Sequence, residues 1–214
     1  MKTFYQIIYK ACNTFWSGQD AEPDGFSSVE ESVKQAVQLA NSMLWNSYAF
    51  PFKIKKEVLP LLATVKAYEN PKGQILSVWI DGKTSYLNRI SDFDFIDEMT
   101  GTPTSYYIND ENRLCLYPIP DKAMILNVRY QTLQMAKDSL GVEKNNLELE
   151  TDVLNIPESL EDLYLQALVP LSVVNFLQDS TDENYAPYQV TYEKTYQNLL
   201  REVRGSVGET TIKI

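Results

Sequence analysis

Apolar positions near both ends of the chain recur every three or four residues, a spacing typical of amphipathic helices. The pattern predicts a first helix from Phe4 to about Trp16 and a second that ends near Asn46. A third opens after Ile156, and a fourth ends at Arg204. We expect these two N-terminal and two C-terminal helices to pack together as one bundle.

Between residues 52 and 136 the period shortens, and short β-rich runs are separated by turn residues. The turn Asn109-Asp110-Glu111-Asn112 predicts a hairpin between the runs 106–108 and 113–117. The predicted fold class is therefore α+β, mainly a helical bundle with a small inserted antiparallel β-sheet. The predicted divisions are N-terminal helices (1–51), inserted sheet (52–136), acidic extended loop (137–155), C-terminal helices (156–204) and an extended C-terminal arm (205–214).

The formal charge of −10 is concentrated in one stretch of the chain. Residues 138–162 hold eight acids against the single base Lys144. A protein that grips duplex DNA normally presents a basic face to the phosphates. We therefore expect no tight DNA binding, whereas an acidic wall lets DNA slide past.

Histidine is absent, which excludes imidazole bases and histidine metal ligands within this chain. The cysteines Cys12 and Cys115 lie far apart and cannot form a four-ligand thiolate site by themselves. The glycines form no phosphate-binding motif. We expect no catalytic residue, no metal and no cofactor.

Carboxylates are densest at Asp92, Asp94, Asp97 and Glu98, where two interpretations are open. Acids around a short helix stabilise its free amides and its dipole. A carboxylate pair can also hydrolyse glycosides when one of the two stays protonated.

Fourteen tyrosines are more than a core of this size requires, and tyrosine is common at protein interfaces. The most apolar run, residues 167–174, is shorter than the roughly 20 residues that a bilayer needs. Contacts with other proteins are expected, and contact with a membrane is not.

Three stretches together resemble a known family. They are LANSMLWNSYAFPF at 39–52; PTSYYI, RLCLYPIPD and ILNVRY within 103–130; and IPESLEDL at 156–163. The second is the most specific, because two strands close on Tyr-Pro-x-Pro-Asp and lead to a third strand that ends in tyrosine. The chain thus resembles the head-to-tail connector, or adaptor, proteins of short-tailed and crAss-like bacteriophages.

The resemblance implies a structural virion protein rather than an enzyme. Such adaptors form a ring of twelve copies under the portal, join the capsid to the tail and extend the DNA exit channel. The implied partners are further copies of the chain, the portal protein, and a further tail ring, hub or fibre protein. Genomic DNA passes through without sequence-specific binding, and the protein resides in the virion neck or tail after assembly in the host cytoplasm.

Two groups of residues are predicted to contact partners. One is the alternating C-terminal arm, expected to add to a sheet edge or groove of the portal or of a neighbouring copy. The other is the aromatic run after the second helix. The residues are Thr210, Thr211, Ile212, Lys213, Ile214, Trp45, Phe50 and Phe52. The acidic loop either faces the channel or a neighbour, or is a solvated surface loop.

Two other functions stay open from the sequence. One is a carboxylate-based, glycan-degrading virion enzyme that uses Asp92 or Asp97. The other is a monomeric binding module that uses Trp79 and exposed tyrosines.

Overall fold

The computed structural model describes residues 1–15, 25, 29, 31–91, 99–177 and 185–208. Across these ranges the chain forms four α-helices and twelve β-strands. The helices are α1 (Phe4–Phe15), α2 (Glu31–Asn46), α3 (Glu161–Leu177) and α4 (Tyr185–Gly208). The strands are β1 (Ile54–Leu61), β2 (Ala67–Glu69), β3 (Gly73–Ile80), β4 (Asn88–Arg89), β5 (Thr100–Gly101), β6 (Ser105–Ile108), β7 (Arg113–Tyr117), β8 (Ile119–Pro120), β9 (Met124–Thr132), β10 (Ala136–Lys137), β11 (Glu143–Lys144) and β12 (Val153–Leu154).

The chain divides into two compact units. The helical unit comprises Met1–Phe52 and Gln134–Ile214, so both ends of the sequence belong to it. The sheet unit is the continuous segment Lys53–Leu133. Each unit has its own cluster of buried apolar side chains.

Helix α3 lies at the centre of the helical unit and packs against α1, α2 and α4. Eleven of its seventeen residues are buried, among them Tyr164, Leu168 and Pro170. A helix that is apolar on all sides has to be covered on all sides, and the three neighbouring helices supply that cover. The remaining helices are amphipathic and bury one stripe each, as Val33, Val37 and Leu44 do in α2.

The first helix begins with a reciprocal capping box. The Thr3 hydroxyl accepts the Gln6 backbone N–H at 3.4 Å, and the Gln6 side-chain oxygen accepts the Thr3 N–H at 3.0 Å. The Phe4 N–H donates to the Asp152 carbonyl at 2.7 Å. These bonds satisfy free amides at the helix start, and the last one ties α1 to the segment before β12.

A three-stranded sheet of order β11-β10-β12 completes the helical unit. Both pairings are antiparallel and only two residues long. Ala136, Leu147 and Leu154 from this region are fully buried in the core that the four helices share. The segment between β10 and β12 is therefore anchored to the helices by apolar packing.

The sheet unit contains three further sheets. Two of them are larger than the third. One has three antiparallel strands in the order β1-β9-β3, and the other has four strands in the order β2-β7-β6-β4. The strands β5 and β8 pair in parallel. The shared core is formed by residues from both larger sheets, namely Leu61, Val78, Ile80, Leu87, Tyr106, Leu114, Leu116, Leu126 and Val128.

The predicted hairpin is present between β6 and β7. Its turn closes by an Asn112 N–H bond to the Asn109 carbonyl at 2.9 Å, and the Asn109 side chain accepts the Arg113 N–H at 2.8 Å. Asn112 has a φ of 57°, a left-handed conformation that asparagine tolerates better than most residues. The turn residues thus specify this connection locally.

The predicted architecture, mainly a helical bundle with a small inserted sheet, is wrong. In the described residues the twelve strands form four sheets, so the protein is α+β with a substantial sheet content. Seven of the strands that the structure describes are only two or three residues long, and such short pairings leave no periodic signal. Helix α4 also continues to Gly208, beyond the end predicted at Arg204.

Candidate interaction surfaces

The aromatic run that follows α2 lies in the core of the helical unit. Trp45 and Phe50 are 1% and 0% exposed, whereas Phe52 is half-buried. The Phe52 ring lies 5.7 Å from Trp45 and 5.0 Å from Phe50 between centroids, and the two phenylalanines are stacked. In the single chain these rings hold the end of α2 against its own core, and their contact with a partner stays a prediction.

Other residues singled out by the sequence lie outside the part of the chain that the structure describes. These are the arm residues Thr210, Thr211, Ile212, Lys213 and Ile214, and the acids Asp92, Asp94, Asp97 and Glu98. Both the partner-binding arm and the carboxylate pair stay predictions. Trp79 is described, and it lies half-buried on the sheet unit.

A chain of polar side chains fixes the acidic segment (residues 137–155) to the helices. The Tyr164 hydroxyl donates to the Asn41 side-chain oxygen at 3.0 Å, and the Asn41 amide donates to the Asn146 oxygen at 3.1 Å. The Asn146 amide donates in turn to the Gln38 carbonyl at 3.1 Å, and the Gln38 amide donates to the Leu147 carbonyl at 2.6 Å. Burial raises the pKa of the Tyr164 hydroxyl, so it stays protonated and acts as a donor.

A buried ion pair fixes the far end of the acidic segment. Asp152 is fully buried, and one of its oxygens accepts the Lys144 ammonium and the backbone N–H groups of Glu148 and Leu149, each at 2.8 Å. Burial pushes the pKa of Asp152 upward. The lysine and the two N–H groups outweigh that effect, so the pKa lies below its ordinary value. The segment is therefore an ordered part of the helical unit.

Two turns of the acidic segment expose apolar side chains to solvent. Leu140 is 87% exposed, Val142 56% and Leu149 59%. The first two lie in a turn in which the Asp138 carboxylate accepts the N–H groups of Leu140 and Val142, both at 2.8 Å. Leu149 lies in the turn held by Asp152. Whether these side chains face a neighbour or the channel, or belong to a solvated surface loop, stays a prediction.

A shallow groove lies between α2 and α3 in the same unit. It encloses about 340 Å³ and is lined by Ser32, Gln35, Ala36, Leu39, Asn175 and Phe176. The Asn175 amide contacts the Met43 sulfur at 3.6 Å, and both Leu39 and Met43 are exposed. This groove is a second apolar feature on the surface of the helical unit.

The outer sheet face is the side of β1, β9 and β3 opposite the core of the sheet unit. Because side chains alternate along a strand, the register assigns its members. They are Lys56, Val58 and Pro60 of β1, Ile125, Asn127 and Arg129 of β9, and Ser77 and Trp79 of β3. Val58 is 54% exposed, and Ile125 is exposed as well. This face therefore exposes apolar side chains on the edge strand β1 and near the start of β9, whereas the central Asn127 is buried.

Aromatic contacts order one side of the outer sheet face. The rings of Trp79 and the exposed Tyr86 meet edge to face, with centroids 5.9 Å apart and planes at 89°. The Lys56 ammonium lies 5.3 Å from the centroid of the Trp79 ring, within range of a cation–π interaction. Tryptophan and tyrosine fixed in this manner are frequent anchors of protein interfaces.

Acid-base or metal chemistry has no visible basis in the described ranges. No group of three or more His, Cys, Asp or Glu side chains there could hold a metal ion. A pocket of about 340 Å³ lies on the sheet unit, and the described residues that line it are Ile80, Lys83, Ser85, Tyr86, Leu87, Asn88, Thr102, Pro103 and Thr104.

One segment is long and apolar enough to cross a membrane. It spans Glu158–Leu177, including α3, and 61% of its most apolar window is buried inside the protein. The central position of α3 in the helical core accounts for this composition.

The similarity of this chain to known proteins lies at the level of a protein family. No curated protein matches it significantly. The family model of the SU10 adaptor protein matches residues 3–211, nearly the whole sequence. This family comprises structural adaptors of bacteriophages, so membership implies a virion component that associates with other virion proteins. The match spans both units, and the chain belongs to the SU10 adaptor protein family.

Proposed function

We propose that the chain assembles with further copies of itself into a closed ring of twelve beneath the portal. The ring joins the capsid to the tail and extends the DNA exit channel. The observation that carries this proposal is the adaptor-family match over residues 3–211. A structural role in assembly also agrees with the exposed, ordered apolar side chains on both units.

A closed ring requires each copy to present two different complementary faces, because its contacts are heterologous. The helical unit offers the apolar turns of the acidic segment, and the sheet unit offers the outer sheet face. The charge of the chain suits a channel wall. The helical unit contains nine Lys and Arg against nineteen Asp and Glu, which repels the DNA phosphates.

The ring is tested with the purified chain alone and with the purified portal protein. Native mass spectrometry and sedimentation velocity measure the number of copies in each sample. We expect a ring of a single stoichiometry, formed alone or on the portal. A chain that stays monomeric over a wide concentration range and does not bind the portal would contradict the proposal.

The C-terminal arm is proposed to attach the ring to the portal or to a neighbouring copy. Since α4 extends to Gly208, a truncation of residues 209–214 spares the helix. A second variant replaces Ile212 and Ile214 with serine in the full-length chain. We expect both variants to fold as the parent does and to lose portal binding or ring formation. Undiminished assembly of both variants would remove the arm from the proposal.

A further inference from the structure

The two units differ sharply in charge. The sheet unit contains ten Lys and Arg against ten Asp and Glu, so the whole formal charge of −10 belongs to the helical unit. Head-to-tail association of such chains places an acidic unit against a neutral one and so avoids the repulsion between two acidic units.

The outer sheet face is the basic part of the neutral unit. Lys56 and Arg129 are exposed on it and occupy paired positions of β1 and β9. None of the strand positions assigned to this face is acidic. The adjacent Asp81 accepts a hydrogen bond from the Asn127 amide at 3.3 Å. The face thus combines two bases, Lys56 on the edge strand β1 and Arg129 on the central strand β9, with exposed apolar side chains at Val58 and Ile125.

The acidic segment has the complementary composition. Leu140, Val142 and Leu149 provide exposed apolar surface, and the carboxylates of Glu148 and Glu150 are exposed beside Leu149. Both turns are held by buried or backbone-bonded aspartates, so little conformational entropy is lost when they dock.

Both surfaces have exposed apolar members among the described residues. Val58 and Ile125 on the sheet face and all three apolar residues of the acidic segment are exposed with the full chain present. They are therefore accessible to a second molecule. Exposed apolar side chains beside two bases match apolar turns flanked by acids, and a second copy supplies that surface at the correct stoichiometry.

We infer that the outer sheet face of one copy receives the acidic segment of the next copy. This inference rests on the ring of the proposed function and identifies the two faces that close it. The contact is heterologous, because the sheet unit supplies one side and the helical unit supplies the other. Each copy uses both faces, and the interface repeats around the ring.

Charge reversal of each face tests the inference. The sheet variant combines Lys56→Glu with Arg129→Glu, and the segment variant is Glu150→Lys, which keeps the ion pair of Lys144 with Glu148. The matched control combines Lys72→Glu with Lys122→Glu, two exposed lysines of the sheet unit that lie outside its strands. Sedimentation velocity measures the concentration at which half of the chains are in rings, and circular dichroism verifies that each variant is folded.

We expect each single-face variant to raise that concentration about tenfold or more, because like charges then face each other across the contact. The chain that carries both reversals should regain assembly, and the control should assemble as the parent does. A higher salt concentration should weaken the ring of the parent chain, because salt screens the attraction between partly exposed charges of opposite sign across the contact. A variant that replaces two apolar residues, Val58→Ser with Ile125→Ser, leaves the charge unchanged and should also weaken assembly.

The outcomes separate the two proposals. If the parent forms rings and the single-face variants form them equally well, this contact is wrong and the adaptor ring stands. Loss of assembly in only one of the two variants also overturns the pairing of these faces. If the parent forms no ring with or without the portal, the proposed function itself fails.

Discussion

Single residues determine how closely the strands of the sheet unit approach each other. Gly73 opens β3 opposite Thr132, and a Cβ atom at this position would lie 2.2 Å from the Gln131 carbonyl oxygen. That oxygen belongs to the backbone of the central strand β9 and cannot rotate away. Only glycine fits here without displacement of the sheet.

Gly73→Ala is therefore expected to destabilise the sheet unit by about 3 kcal/mol, at the upper end of the usual cost of overpacking. Urea unfolding followed by tryptophan fluorescence measures the loss. Gly101→Ala is the control, because its Cβ would meet Pro118 at an ordinary 3.8 Å. Equal stability of Gly73→Ala and the parent would show that the two strands are not this close.

The buried pair of Lys144 and Asp152 predicts a pH dependence of stability. The folded pKa of Asp152 is lowered, so its contribution is fully present above the unfolded value, about 3.9, and is lost as the pH falls through the folded pKa. Asp152→Asn should cost about 2–4 kcal/mol at neutral pH, because it leaves Lys144 without its buried partner.

The difference in unfolding free energy between the parent and Asp152→Asn should stay constant from pH 7 to about 4 and shrink as the pH is lowered further. The control Glu148→Gln removes the exposed partner of the same lysine and should have a much smaller effect. A difference that does not shrink below about pH 4 would contradict the ion pair as the source of stability.

At the scale of elements, the central helix α3 carries the largest share of the helical core. Leu168 is fully buried within it, so Leu168→Ala should destabilise the helical unit by about 2–5 kcal/mol. Leu39→Ala on the exposed side of α2 is the matched control, and it should change stability little. Thermal unfolding followed by circular dichroism compares the stabilities of the two variants. A similar loss of stability in both would contradict the central position of α3.

The elements also show what could be predicted from the sequence and what could not. The end of α2 at Asn46 and the hairpin at Asn109–Asn112 were predictable, because apolar spacing and turn residues specify them locally. The two-residue strands β10, β11 and β12 were not, since tertiary packing rather than periodicity creates them. Gly205 lies within α4, where a weak helix former is tolerated.

The interaction surfaces were less predictable than the elements. From the sequence alone, residues 138–152 are recognisable only as an acidic segment. The hydrogen bonds of Asp138 and the ion pair of Asp152 order this segment, and such bonds within short loops leave no periodic pattern in the sequence. The Tyr164–Asn41–Asn146 chain joins positions more than a hundred residues apart. Trp45 and Phe50 are buried in the single chain, and their predicted contact with a partner stays a prediction.

At the scale of the whole molecule, two units of different charge belong to one phage adaptor. The buried core of each unit stabilises the fold, and we propose that the ordered apolar residues that stay exposed mediate assembly. In the proposed ring, the acidic balance of the helical unit repels the DNA that passes.

The central claim is that this chain forms a ring between portal and tail, and cryo-electron microscopy of mature virions with averaging at the neck tests it most directly. The account predicts a ring of density beneath the portal that accommodates one helical unit and one sheet unit per copy, with the sheet unit of each copy against its neighbour. A neck that lacks this chain, or that contains it as isolated copies without mutual contact, would contradict the account.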